Sequence, residues 1–180
     1  MHEKEKLEQA KQFLSQMEKE KENRKKFQNN LSAFLSSARS AVAYARKEAK
    51  SKPKGQEWYD KIIGGSQILK FFRDKRDKDI HDEPVIPIAH HKLGLNVVSN
   101  TKAALQITVI SKGGKIEKIP SAETAPGPKT NMPETPVDYE TKYKFDDWQG
   151  SEDVLDLCQK CVQELENVIN AGVAKGFITG

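Results

Sequence analysis

Two changes of periodicity divide this chain, and they limit its possible folds more than any other feature of the sequence. Up to Pro84 apolar residues recur every three or four positions; from there to about residue 150 they alternate; from Ser151 the helical spacing returns. That pattern predicts an α+β protein with three parts: helices over residues 1–83, a small antiparallel β insertion over 84–150, and a closing helix over 151–180. At 180 residues the chain has room for one well-buried domain carrying such an insertion.

The first helix is predicted over about residues 3–23, with a narrow seam of Leu7, Ala10, Leu14 and Met17 among dense Lys and Glu. The run KEKENRKK reads as a solvated face. The seam breaks around Phe27–Asn30, and a second helix follows to about Lys50, with Leu31, Leu35, Ala38, Val42 and Ala45 on one side. Its small residues, SSARSAVAYA, allow close approach of a neighbour. Pro53 and Gly55 oppose helix continuation, so SKPKGQ is a loop. The third helix is expected over about 56–81, ending near His81 because Pro84 disfavours helical geometry at Glu83. The fourth should be capped by Ser151, carry Glu152 and Asp153 in its first turn, run through Val173 and end at Gly176.

Between them, VIPIAHHKLGLNVV, AALQITVI, KIEKIP and VDYETKYKF read as short strands. Gly113-Gly114 marks a tight turn, and PSAETAPGPKTNMPETP is a Pro-rich loop.

With 30 basic and 26 acidic side chains, the net charge of +4 is too small for a protein that coats DNA without specificity, though a local basic site fits. No apolar run reaches the roughly 18 residues of a membrane span, and MHEKEKLEQAKQ does not read as a secretory leader, so a cytoplasmic protein without membrane contact is expected. Cys158-Gln-Lys-Cys161 has no second cysteine pair and continues the stripe of Val154, Leu165 and Val168; both thiols are expected to be buried, reduced and free of metal. His90 and His91 are neighbours in a predicted strand and point to opposite faces, which does not suit one metal ion. No P-loop, GxGxxG or GxSxG occurs, so kinase, dehydrogenase and hydrolase chemistry has no foothold and no cofactor is expected.

The stretch FFRDKRDKDIHDEP, residues 71–84, is the unusual one. At about 100° per residue, Trp58, Ile62, Leu69 and Phe72 fall on one stripe, and Arg76 lies on its centre line. A buried guanidinium without a partner is costly, so that position asks for a reason. A second apolar set, Ile63, Ile68 and Phe71, makes the helix greasy on two sides, either central to its bundle or shared with another subunit.

Arg76-Asp77-Lys-Asp-Ile-His81 resembles the Arg-x4-6-His motif of the HEPN superfamily, in which Asn, Asp or His commonly follows the Arg. The wording of residues 27–83, LSAFLSSARSAVAYARKEA and EWYDKIIGGSQILKFFRDKRDKDIH in particular, is also similar to bacterial proteins of HEPN type. The resemblance implies a four-helix bundle, into which the periodicity places the β insertion between helices 3 and 4, and a function as a metal-independent endoribonuclease of toxin or stress-defence type or, alternatively, as a non-catalytic module that binds RNA, a nucleotide or a protein. It also implies a homodimer, since HEPN proteins that cleave RNA build the site from paired motifs of two subunits.

The chemistry can be stated without the family. Cleaving RNA by its own 2′-hydroxyl needs a group to take that proton, one to protonate the leaving 5′-oxygen, and a cation on the phosphorane. Arg76, with Arg73 beside it, is the candidate phosphate grip; His81 is the candidate acid or base; Asp77, four residues before it, is placed to orient the imidazole. Arg76 and His81, five apart, stand about 140° from each other on an ideal helix. One site then needs either a helix that unwinds before His81 or a partner subunit. The plainer alternative makes Arg73–Asp77 and Arg76–Asp79 surface ion pairs worth about 0.3 kcal/mol each, with His81 a C-terminal cap.

Overall fold

Asn23 decides where the first helical hairpin turns. The computed structural model describes residues 2–81, 84–94, 108–110, 116–118 and 138–179. Helix α1 spans His2–Lys19 and α2 spans Arg24–Lys50. Asn23 is extended (φ −99°, ψ 93°), and its side-chain oxygen accepts the Lys26 backbone N–H at 3.1 Å, an N-cap bond. The turn therefore falls inside the charge run and not near Phe27–Asn30. Phe27 lies in the first turns of α2, fully buried and stacked on Tyr143 with ring centroids 3.8 Å apart.

Leu7, Ala10, Leu14 and Met17 are all buried, as their spacing predicts, and α1 packs chiefly on α2. On the facing side α2 buries Leu31, Leu35, Ala38, Ala41, Ala45 and Ala49. The alanines leave room for a third helix close by. Helix α3, Gly55–Gly65, starts in backbone contact with the end of α2: a Cβ at Gly55 would lie 2.1 Å from the Ala49 carbonyl oxygen, so only glycine fits.

The expected single helix over 56–81 is two. Helix α4 spans Gln67–His81, separated from α3 by Ser66 in an extended conformation (φ −95°, ψ 110°). Gly64 and Gly65 are weak helix formers, each about 1 kcal/mol worse than Ala. Ser66 then serves both ends: its N–H donates to the Ile63 carbonyl at 3.2 Å, and its hydroxyl oxygen accepts the Leu69 N–H at 3.3 Å. The described residues thus carry five helices, one more than the spacing alone suggested.

Helix α5, Val154–Ala174, is capped by Asp153 and not by Ser151. Asp153 accepts the Asp156 N–H at 2.9 Å and donates its own N–H back to the Asp156 carboxylate at 3.3 Å, a reciprocal capping box. Gly176 ends the helix as expected, with φ +71°; its N–H reaches the Val173 carbonyl at 3.0 Å, and that of Phe177 reaches Gly172 at 2.9 Å. Between these caps Val154, Leu157, Cys158, Cys161, Val162, Leu165 and Val168 are buried, and both cysteines are free thiols. Burial holds both thiols protonated, with pKa values pushed up from the ordinary value.

Strands β1 (Ile88–Gly94) and β4 (Asp138–Lys144) pair as a two-stranded sheet, and β2 (Thr108–Ile110) pairs antiparallel with β3 (Ile116–Lys118). The latter register sets Thr108 against Lys118 and Ile110 against Ile116. The Gly113-Gly114 turn and the Pro-rich loop lie outside the described residues. The chain divides into two compact units, one of Met1–His91 with Thr141–Gly180 and one of Lys92–Glu140. Within the first, β4 is stitched to the α1–α2 corner: the Thr141 hydroxyl donates to Glu22 at 2.7 Å and the Tyr143 hydroxyl to the Lys21 carbonyl at 2.9 Å. No helix among the described residues is long and apolar enough to cross a membrane.

Candidate functional site

Helix α4 turns a broad arc toward the core, and three of the residues on that arc are charged. Leu69 and Phe72 are buried, Phe72 meeting Phe34 edge-on at 5.7 Å. Lys75, which sequence reasoning passed over, is the most buried of the charged residues, at 6% exposure. Its ammonium lies 4.7 Å from the Phe145 ring centroid and 5.3 Å from that of Phe71, and it pairs with Asp147 at 2.6 Å. An aromatic cradle with one carboxylate at its mouth lets a lysine bury its stem while its charge is met.

Arg76 is half-buried, as its place on the stripe suggested. Its Nε is fully shielded from solvent and has no hydrogen-bond partner among the described residues. The neighbouring charges are committed elsewhere. Arg73 pairs with Asp74 at 2.9 Å, not with Asp77. Asp77 faces the Arg39 guanidinium of α2 at 4.0 Å. Asp79, rather than pairing with Arg76, accepts the Ser32 hydroxyl at 2.6 Å and the Val85 N–H at 2.9 Å, fastening α4 to α2 and to the chain leaving it. Neither surface ion pair expected on α4 forms: Arg73 turns to its neighbour Asp74, and Asp77 and Asp79 turn to other segments.

The helix is continuous through His81. Unwinding before the histidine is therefore not how Arg76 and His81 meet, and within one chain their positions stand about 140° apart around α4. Asp77 and His81, four apart, do share a face. The His81 side chain lies outside the described residues, as does that of His91; His90 is exposed. Among the described residues no group of three or more His, Cys, Asp or Glu is gathered as a metal site.

The second apolar set is covered by the chain itself. Ile63, Ile68 and Phe71 pack against the core, and Phe71 sits edge-on to Phe145 at 5.3 Å and to Trp148 at 4.9 Å. All three, one on α3 and two on α4, are partly buried in this way, so the second apolar set has neighbours within its own chain. The cover comes from residues more than seventy positions later in the chain, which local periodicity does not reveal. Arg39, on the opposite wall, was equally hidden, because its role depends on where α4 lands. No family model matches this chain, and neither a curated protein nor a solved structure matches it.

Proposed function

We propose that the chain is a HEPN-like module that binds RNA or a nucleotide by its phosphate, with Arg76 as the principal grip and Arg73 beside it. The observation that carries the reading is the Arg76 Nε, buried and without a hydrogen-bond partner among the described residues, on a helix where Arg73, Lys75, Asp77 and Asp79 all face opposite charge or a hydrogen-bond partner. A half-desolvated guanidinium offers a planar fork that suits phosphate, and anion binding offsets the cost of its burial. Fluorescence anisotropy with a labelled single-stranded RNA, in EDTA, tests it. Wild type binds with affinity that falls as salt rises, and Arg76→Gln weakens binding about tenfold while flattening the salt dependence by about one phosphate contact. Salt-dependent binding left intact by Arg76→Gln, or no binding, overturns the reading.

A second reading is favoured by the unbroken run of α4 to His81, which keeps Asp77 and His81 on one face. In it the module is a metal-independent endoribonuclease of toxin or stress-defence type. His81 transfers the proton, Asp77 fixes the imidazole tautomer, and Arg76 of a second copy steadies the phosphorane, so the homodimer is obligatory. RNA cleavage in EDTA that is lost in His81→Ala, and restored by mixing Arg76→Ala with His81→Ala chains, supports it. Binding without cleavage leaves the first reading alone.

A further inference from the structure

A cavity of about 280 Å³ opens between α2, α3, α4 and α5. Its depth is apolar, formed by Leu35, Ala38, Phe72, Leu165 and Cys161, all buried. At its mouth stand three guanidiniums, Arg39 and Arg46 from α2 and Arg73 from α4, against one lining carboxylate, Asp60. Arg39 and Arg46 are seven apart and so share one face of α2, which aims both at the same opening.

We propose that this cavity is a binding site for a small organic anion with an apolar body, of the class of medium-chain or aryl carboxylates. The division of the lining carries the assignment. The polar atoms in the depth are already committed: the Tyr59 hydroxyl donates to the Val42 carbonyl at 2.9 Å, and the Cys161 thiol stays protonated through burial. A nucleobase placed there would leave its polar edge unmatched, a cost that an alkyl or aryl body avoids. The mouth asks for the opposite, a single anionic head: Arg73 is taken by Asp74 at 2.9 Å, but Arg46 has no ion pair among the described residues and Arg39 meets Asp77 only at 4.0 Å, so these two guanidinium forks can match a carboxylate. The volume lies just under the usual ligand-pocket range of about 300–1,000 Å³, which selects a short body over a long lipid. Arg76 is not part of this lining; Arg73 is, so the cavity meets the proposed phosphate site at that one residue while the apolar depth and Arg39 and Arg46 lie outside it.

Isothermal titration with decanoate, decanol and adenosine monophosphate tests the assignment, using wild type, the double variant Arg39→Gln/Arg46→Gln, and Ala38→Phe. Arg39 is half-buried and Arg46 exposed, so the charge variant keeps the core intact. The expected result is decanoate binding that weakens about tenfold in the double variant, is lost when Ala38→Phe fills the depth, and is unchanged in Arg76→Met. Decanoate that binds no more tightly than decanol, that ignores the double substitution, or that adenosine monophosphate displaces would overturn it.

Discussion

Helices α4 and α5 lie against each other in the same bundle, yet they bury different chemistry. In α5 the inward arc is apolar throughout, including two protonated thiols, and both ends are closed by recognisable caps. In α4 the inward arc carries Lys75, Arg76 and Asp79 among Leu69 and Phe72. Asp79 is used to fasten the helix, and Lys75 is cradled by rings and an acid. Arg76 has a shielded nitrogen that the described fold leaves unanswered. On the proposed reading, the difference separates residues kept for packing from a residue kept for a ligand.

That division predicts a graded response to substitution. The largest effect belongs to α5. Leu157→Ala, at a fully buried site, should cost about 3 kcal/mol in urea denaturation, the size of a cavity the surrounding helices cannot close. A loss under about 1 kcal/mol would mean that α5 is not the rigid side of the comparison.

On α4, Lys75→Ala should cost about 2 kcal/mol, through lost packing on Phe71 and Phe145 and an unmatched Asp147. Lys75→Met keeps the stem and should cost less than about 1 kcal/mol, because replacing a buried charge by an apolar residue of similar volume is close to neutral. If Met is as damaging as Ala, the charge itself holds the fold there.

A smaller effect is expected at Tyr59, at the join of α2 and α3. Tyr59→Phe should cost about 1 kcal/mol by removing the bond to the Val42 carbonyl. Burial pushes the Tyr59 phenol up to about 12 from its ordinary 10.0. Its folded value exceeds its unfolded one, so its contribution is complete below pH 10 and is lost as pH rises toward 12. Thermal melts across that range should show wild type losing stability more steeply than Tyr59→Phe. Tyr143, also raised by burial, keeps the variant's curve from becoming flat.

The legibility of the sequence divides along the same line. The seam of α1, the stripe and buried thiols of α5, the stop at Gly176 and the alternation in the strands are local patterns, and local periodicity found them. The breaks at Asn23 and Ser66 were written locally too, but each hides in a stronger pattern: Asn23 in a run of charges, Ser66 in an apolar spacing that continues across it. Lys75 on Phe145, Arg39 opposite Asp77, and Phe71 under Trp148 depend on segments far apart in sequence. No window of ten or twenty residues contains them. The Arg76 position was legible as an anomaly, and the structure narrows it to one nitrogen without a hydrogen-bond partner among the described residues.

The most direct test is a thermal melt of wild type and Arg76→Met, each with and without a short single-stranded RNA. A guanidinium kept for phosphate predicts that the variant alone melts within about 0.5 kcal/mol of wild type, or above it, because methionine removes an uncompensated desolvation cost. It also predicts that RNA raises the melting temperature of wild type and not that of the variant. A variant destabilised by more than about 1.5 kcal/mol without RNA, or stabilised by RNA as much as wild type, would show that Arg76 belongs to the fold and that the comparison between α4 and α5 fails.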